Sequence, residues 1–452
     1  MSAIEKGFYS CGFSVSAKYL FKLLLGLGFF VLKKIKGNKF LSGSAIYLVS
    51  NILNASTPFI LLPILTRYLS PSEYGQVAMF LTLLGALGGV VGLSVAGASS
   101  RKYYDDLEEN EMARYIGACL QVLIVSSIVV FALMFLFREN MSYWLGLDEK
   151  WILWCVGLAA FTVVVNLRLG QWQVRKRAAS FGLLQVSKSV FDLLFSLLFV
   201  VVFVLGADGR MSAQVLATGI FALLALWLLK RDNLLDVFVW NKAHHKELVS
   251  FGFPLIIHVG GIFLLTSANR VVINVEFGLA DAGVYMVAAQ IAMGVALMFD
   301  AFNKAFMPWL FERLNENSYE LDKKIVRNTY VLFFFIMVGV LFGFFVGPIL
   351  VGLVAGPGYE QAADIIGLLI LGQAFGGMHL VVSNYAIYSR RTGLLSMATV
   401  TSGVMNIAIL LLLIRPLGLY GAAISYAVAM AARFLFTWWA AHKGRPMPWF
   451  DI

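Results

Sequence analysis

The sequence predicts an all-α polytopic membrane protein with about twelve transmembrane helices, arranged as two six-helix pseudo-symmetric halves around a central cavity. The first observation is composition: of 452 residues, 60% are hydrophobic and 13% are charged, and the mean hydropathy is +0.82. Soluble domains carry roughly 25% charged residues, so this chain lacks the polar groups to cover a water-soluble globule. The second observation is a series of long apolar stretches, and the third is a regular alternation of loop charge.

Twelve apolar stretches come close to the ~20 residues that a helix needs to cross a ~30 Å hydrocarbon core. The first stretch is unusual, because Asn51 and Asn54 place amides in it and Pro58 and Pro63 each remove a backbone donor. Such a helix is expected to face protein or water rather than lipid. The predicted spans are 44–66, 76–100, 115–137, 151–171, 181–206, 213–229, 249–275, 283–306, 326–354, 362–388, 393–414 and 419–440.

The loops between these spans alternate between basic and nearly uncharged. The basic loops contain clusters of Lys and Arg, whereas the alternate loops hold isolated cations such as Arg210, before the sixth predicted span. The positive-inside rule therefore places the basic loops and both termini in the cytoplasm. Loop cations of this kind also account for the net charge of +10, so the charge does not indicate a nucleic-acid partner.

Because each half contains six predicted spans, the second half starts on the same side of the membrane as the first. The two tandem halves therefore have the same orientation. The turns after the first span of each half are alike, with Glu73 two residues before Gly75 and Asp281 two residues before Gly283. Residues 1–43 contain an apolar run too short to span, flanked by lysines, and are predicted to form a cytoplasmic, interfacial amphipathic segment. The predicted domains are 1–43 (basic segment), 44–229 (first half), 230–248 (cytoplasmic linker), 249–440 (second half) and 441–452 (cytoplasmic tail).

Five short motifs occur in order at turns and helix starts. They are R-Y-L-S-P-S-E-Y-G at 67–75, G-Q-W-Q-V-R-K-R at 170–177, F-G-F-P-L at 251–255, G-V-Y at 283–285 and G-L-Y-G-A-A at 418–423. Together they resemble the polysaccharide flippases, including O-antigen flippases, of the multidrug/oligosaccharidyl-lipid/polysaccharide exporter superfamily, over about residues 42–440. The family often has Asp-Arg at the end of span seven, where this chain has Asn269 and Arg270.

The resemblance implies a function. A member of this family is expected to move an undecaprenyl-pyrophosphate-linked oligosaccharide across the bacterial cytoplasmic (inner) membrane by alternating access, for O-antigen or other surface polysaccharide synthesis. It would be a transporter without catalytic residues, metal or cofactor. Its expected partners are the lipid-linked oligosaccharide, membrane lipids, a coupling ion (H⁺ or Na⁺), and the polymerase and chain-length regulator of the same pathway, with no nucleic acid.

Ionisable residues inside the spans are the first candidates for a substrate site, because a charge in hydrocarbon costs several kcal/mol. Lys188 and Asp192 are four residues apart on one face of span five. Either they neutralise each other, or Lys188 meets a phosphate or sugar acid while Asp192 titrates as an ion-coupling group. Arg433 in span twelve has no acid in its own helix and therefore needs a partner or an anion.

Other charged candidates lie nearer the span ends. Asp300, the second ion-coupling candidate, has Lys304 four residues later in span eight, and mutual pairing is the favoured interpretation there. Arg270, near the outer end of span seven, either guides the exit of a pyrophosphate or anchors its helix. Arg168, beside a basic loop, is predicted to be an interfacial anchor.

Uncharged polar groups complete the candidate substrate site. Because the first helix of each half is expected to line the central path, Asn51, Asn54 and His258 are candidates for sugar or proton contacts. A lone membrane histidine is more often an interhelical hydrogen-bonding group.

Three alternatives remain open from the sequence. Within the superfamily, the chain could be a cation or drug antiporter, or a flippase for the peptidoglycan precursor. A cation exporter should carry unpaired acids in the membrane, whereas Asp192 and Asp300 each have a lysine one turn away. A membrane polymerase or glycosyltransferase is disfavoured by the short outer loops, and three scattered cysteines indicate neither a disulfide framework nor a metal site.

Overall fold

The computed structural model describes residues 39–105, 108–316 and 318–451. These residues are helical and contain no strand, which confirms the predicted all-α membrane class; the predicted segment 1–43 lies almost entirely outside them. The helices are α1 (Lys39–Tyr68), α2 (Pro71–Val90), α3 (Val95–Lys102), α4 (Glu109–Leu136), α5 (Arg138–Leu145), α6 (Glu149–Val174), α7 (Ala178–Ser196), α8 (Gly206–Arg231), α9 (Lys242–Thr266), α10 (Ala268–Phe277), α11 (Leu279–Asn315), α12 (Tyr319–Val354), α13 (Ala362–Tyr388) and α14 (Thr392–Gly444).

Within the described ranges, ten helices are long and apolar enough to cross a membrane, or eleven if α2 and the segment after it, bent by 44°, form one span. Each of the twelve predicted spans corresponds to a helix, a broken helix or half of α14. Two predicted spans are interrupted: the second divides into α2 and α3, and the seventh into α9 and α10. The number of helices that cross the bilayer stays a prediction.

Helix α14 is a hairpin of two helices rather than one rod. Gly418 has φ 56° and ψ −135°, outside the helical region. A Cβ atom on Gly421 would lie 2.3 Å from the carbonyl oxygen of Leu413, eight residues earlier. In a straight helix these residues would be ~12 Å apart, so the chain reverses at Gly418. The reversal falls between the two spans predicted at 393–414 and 419–440.

The starts of α2 and α11 touch through their backbones, a contact that we call the glycine seam and that comprises Pro71, Gly75, Leu279 and Gly283. A Cβ on Gly75 would lie 1.9 Å from the carbonyl oxygen of Leu279, and one on Gly283 would lie 2.1 Å from that of Pro71. Only a residue without a side chain fits at either position. The two glycines are those that end the similar turns in the sequence.

The end of α1 also contacts the loop after α12. The amide of Gly356 donates to the hydroxyl of Thr66 at 3.0 Å, and the hydroxyl of Tyr359 donates to the carbonyl of Leu69 at 2.9 Å. Tyr359 is fully buried. These bonds join the first half to the second at the same end as the glycine seam.

The residues after α14 fold back against the second half. The backbone carbonyl of Trp449 accepts a hydrogen bond from Tyr330 at 3.0 Å, and its ring packs on Tyr385 and Trp438. Trp449 is 3% exposed. The predicted tail 441–452 is therefore packed against α12, α13 and α14 as far as residue 451.

Candidate functional site

Helices α1 and α7 are joined by two hydrogen bonds between polar side chains. The amide of Gln185 donates to Oδ1 of Asn51 at 3.1 Å, and the hydroxyl of Ser189 donates to Oδ1 of Asn54 at 2.9 Å. One oxygen of each candidate asparagine is thus used to hold the helices together. The two NH₂ groups remain as donors on a half-exposed stretch of α1, which keeps both residues available for a sugar hydroxyl.

Asp192 is paired with Arg210, and not with Lys188 as the sequence spacing allowed. Nη1 of Arg210 donates to Oδ1 of Asp192 at 2.8 Å and to the hydroxyl of Ser196 at 3.2 Å. Both charged side chains are largely buried, at 8% and 15% exposure. The sequence placed Arg210 in a loop, but α8 starts at Gly206, seven residues before the predicted span, so Arg210 lies inside the helix and the bundle.

Lys188 lies between these two groups of contacts on the same face of α7. It is one turn from Gln185 and adjacent in sequence to Ser189, both of which bond α1, and it is one turn from Asp192, whose carboxylate Arg210 holds. Lys188 is half-buried and, within the described residues, has no carboxylate within 4 Å. Asp192 thus has a closer cationic partner than Lys188, and a role for Lys188 as a contact for a substrate anion stays a prediction.

Arg433 in the second half is also without a carboxylate partner among the described residues. Its Nε donates to the hydroxyl of Thr399 at 3.2 Å, across the α14 hairpin. His258 of α9 and His379 of α13 lie close enough to interact electrostatically with it. His379 shares a 2.9 Å hydrogen bond with Thr437, whereas Nδ1 of His258 is buried with no partner. The structure thus brings the candidates His258 and Arg433 together.

Arg270 occupies a third position, where the two halves meet. Its Nη1 donates to the hydroxyl of Thr82 on α2 at 3.4 Å, and its Nε is buried without a partner. Among the described residues no carboxylate lies within 4 Å of Arg270, and the polar groups near it are the hydroxyls of Tyr74, Tyr285 and Tyr426. Arg270 is therefore in the first turn of α10 and inside the bundle, and its two predicted roles, at substrate exit or as an anchor of its helix, stay predictions.

Asn269, which stands where the family often has an acid, is fully bonded as an amide. Its Nδ2 donates to the carbonyl of Ala422 at 3.0 Å, and its Oδ1 accepts from Asn406 at 2.6 Å. Asn269 is 1% exposed. A neutral amide suits this position because it needs both a donor and an acceptor there.

Asp300 and Lys304 form the expected pair, 2.6 Å apart and more than half exposed.

Arg168 does not lie at an interface, as its prediction as an interfacial anchor required. It is fully buried, stacks on Trp172 at 4.1 Å and bonds Asp232, which follows α8. Burial raises the pKa of Asp232, but the hydrogen bonds and charges of Arg168 and Arg231 outweigh it and hold this pKa below its ordinary value.

Comparisons with known proteins agree with this architecture. A family model described as "Polysaccharide biosynthesis protein" matches residues 40–314. The chain is 24% identical to "Lsg locus putative protein 1" of Haemophilus influenzae over 83% of this chain and 91% of that protein. It is 20% identical to "Probable low-salt glycan biosynthesis flippase Agl15" of Haloferax volcanii, over 85% of this chain and 79% of that protein.

Two solved structures share the fold. An inward-facing multidrug resistance MATE family transporter superimposes with a TM-score of 0.71 at 15% identity, over 89% of this chain and 99% of that one. The lipid II flippase MurJ in an inward closed conformation gives 0.69 at 13% identity, over 87% and 86%. Since the family model covers more than half of the sequence, this multi-pass membrane protein belongs to the polysaccharide biosynthesis protein family.

Proposed function

We propose that the protein translocates an undecaprenyl-pyrophosphate-linked oligosaccharide across the bacterial cytoplasmic membrane, for O-antigen or another surface polysaccharide. The observation that carries this proposal is a pair of cations, Lys188 and Arg433, one in each half. Both lie inside the bundle without a carboxylate partner among the described residues. Basic side chains in a low-dielectric cavity bind phosphate strongly, and a cation left unpaired there needs an anion.

The two cations lie at similar depths. Lys188 is ten residues after the start of α7, and Arg433 is eleven residues before the end of α14, which gives ~15 Å and ~16 Å at 1.5 Å per residue. These helix ends belong to the face that the positive-inside rule assigns to the cytoplasm. The predicted spans 181–206 and 419–440 then put both cations about 10 Å inside the membrane from its cytoplasmic side, where a pyrophosphate would need a partner, and Asn51, Asn54 and His258 offer polar contacts to the glycan.

The contacts between the halves support entry of a lipid substrate from the side. Helix α9 packs along α2 and α3, and the salt bridge between Lys102 and Glu247, 3.0 Å long, joins the halves beyond the membrane. Helix α1 meets α11 chiefly around Pro58, whose carbonyl accepts a 2.6 Å bond from Gln290. Toward the predicted cytoplasmic end, Leu48 and other apolar residues of α1 are exposed. We infer an opening there, between α1 and α11. A lipid substrate would enter through it from the side while its polyprenyl tail stays in lipid.

Movement would follow alternating access, with the halves rocking about the glycine seam. Of the two ion-coupling candidates, Asp192 is the better placed, because it lies in the bundle, whereas Asp300 is exposed and paired. Coupling to H⁺ or Na⁺ would require the Asp192–Arg210 pair to open. We place both termini in the cytoplasm, where a polymerase and a chain-length regulator of the pathway would associate with the protein.

A drug antiporter is the second candidate, because of the fold shared with the MATE transporter. A cation substrate needs an unpaired acid in its cavity. Within the described spans, Asp192 and Asp300 both have cationic partners, which favours an anionic substrate. The relative named as a probable glycan biosynthesis flippase also favours transport over catalysis.

Single substitutions at the two cations test the proposal. We expect Lys188→Ala and Arg433→Ala to lower surface polysaccharide by at least about tenfold in a complemented deletion strain, because loss of a buried charged contact costs roughly 1.5–3 kcal/mol. Lys188→Arg and Arg433→Lys should retain part of the activity. Lys304→Ala, which removes an exposed cation, is the matched control. Normal polysaccharide in both alanine variants, at membrane levels equal to those of the control, would refute the proposed site.

A further inference from the structure

A deep apolar groove opens on the outer wall of the second half, between α11 and α12. Its volume is about 630 Å³, and its floor is formed by Val340 of α12 and by Ile370 and Ala374 of α13, all of which are buried. Its rim includes Met298 of α11 and Phe342 of α12, which are 72% and 66% exposed. Helices α11 and α12 follow each other in the chain but diverge here, so α13 closes the groove from behind.

Glycines on α12 give the groove its depth. Gly343 and Gly347 pack against Ile370 and Ile366 of α13, which draws α12 close to the floor. Gly339, on the groove lining, has no atom within 4 Å of the position that a Cβ would take. The α12 lining runs from Phe335 to Leu350, which are fifteen helical steps and thus ~22 Å apart. The groove is therefore long enough to hold a stretch of extended hydrocarbon chain.

Helix α11 connects this groove to the opening proposed above. Gly294 and Gln290 face α1, where they contact Phe59 and Pro58. Val295 and Phe299 lie on the next face of the same turns and line the groove. A lipid whose headgroup passes between α1 and α11 could therefore lay its tail around α11 without leaving the membrane.

We propose that this groove binds the polyprenyl tail of the lipid-linked glycan while the pyrophosphate meets Lys188 and Arg433; the inference rests on the proposed function. Every lining residue is apolar, which suits an isoprenoid chain, and the closed floor allows contacts along its length. An ordinary acyl chain is straight and saturated for much of its length. A polyprenyl chain carries a methyl branch on every isoprene unit, and each branch adds dispersion contacts with an apolar wall.

Photolabelling of the purified full-length protein in lipid nanodiscs tests the groove directly. The probe is an undecaprenyl phosphate with a diazirine in its tail, compared with a phosphatidylglycerol that carries the same diazirine. We expect the polyprenyl probe to label the α11 and α12 groove residues, and unlabelled undecaprenyl phosphate to compete. Equal labelling by the phosphatidylglycerol probe, or polyprenyl labelling spread over the whole surface, would overturn the proposal.

Gly339→Leu provides the matched variant. The leucine fills the groove without a clash, since the space around Gly339 is open, and we expect groove labelling to fall about tenfold. Gly352→Leu on the same helix also has open space but lies outside the groove lining, and should leave labelling unchanged. Equal labelling of wild type and Gly339→Leu would overturn the inference. If the polyprenyl probe labels the groove but Lys188→Ala and Arg433→Ala still make normal polysaccharide, the proposed pyrophosphate site is refuted and the groove is not.

Discussion

The two halves of the molecule share a turn and a backbone contact but hold their buried charges differently. In the first half, Asp192 pairs with Arg210, and Lys188 has no carboxylate within 4 Å among the described residues. In the second half, Arg433 and Arg270 bond to hydroxyl groups, with no carboxylate beside them among the described residues. Both halves thus present positive charge to the interior of the bundle.

This difference indicates separate tasks for the cations. Arg210 is fixed by three hydrogen bonds to α7, two to Asp192 and one to Ser196, and supports the structure of the first half. Lys188 and Arg433 have few protein bonds, so their charges are available to a mobile anion. The comparison predicts that stability depends on the acid of the first half, whereas transport depends on one cation from each half.

Loss of the buried acid should have the largest effect on stability. Asp192→Asn leaves Arg210 buried without a counter-charge, and we expect a loss of about 3–5 kcal/mol in the free energy of unfolding. Denaturation of the purified variants in detergent measures this loss in the free energy of unfolding. Asp300→Asn, at an exposed pair, should change stability by less than about 1 kcal/mol. A combined Asp192→Leu and Arg210→Met variant should recover most of the loss, and the comparison fails if Asp192→Asn matches the Asp300→Asn control.

The glycine seam should be equally sensitive on both sides. Gly75→Ala and Gly283→Ala each place a methyl group about 2 Å from a backbone oxygen. We expect each to lower stability by about 1–3 kcal/mol, because α2 and α11 must move apart. Gly88→Ala on α2, where the space is open, should instead be neutral or slightly stabilising. Thermal unfolding of the three variants decides the point, and tolerance of alanine at only one seam position would show that the halves do not share this contact equally.

Amide side chains offer a finer comparison. Asn406 is fully buried and donates to Asn269 and a backbone carbonyl, so Asn406→Ala should cost about 1–3 kcal/mol. Asn51, half-exposed in the first half, makes a single bond, and Asn51→Ala should cost about 0.6 kcal/mol. Unfolding midpoints of the two variants test this order. The reverse order would mean that the α1–α7 contacts carry more stability than their exposure indicates.

The fold class and family were predictable, because composition, apolar length and helix-start motifs are local properties of the sequence. Similarity of the two turns also marked Gly75 and Gly283, which the structure places in one contact. The partner of Asp192 was not predictable from spacing. Arg210 is eighteen residues away, and a hydropathy window assigns the polar start of α8 to a loop.

Long-range partners explain the other differences. Arg168 is next to a basic loop in the sequence, but Asp232, 64 residues later, returns to it at the end of α8. Gln185 and Ser189 carry no charge, but their spacing of four residues, with Asp192 three residues after Ser189, indicates a polar face on α7. Linear patterns identify which faces are polar, and only the packing decides which polar groups meet.

The backbone contact at Gly75 and Gly283 has a mechanical consequence. Bare main chains offer no interlocking groups, so they can swivel against each other but cannot separate without losing close packing. In the rocking movement proposed above, this contact would be the pivot, and we expect displacement to grow with distance from it toward the opposite face, ~30 Å away. Spectroscopic labels beside these glycines should stay at a constant separation, while labels at the far tips of α1 and α11 should report the full swing.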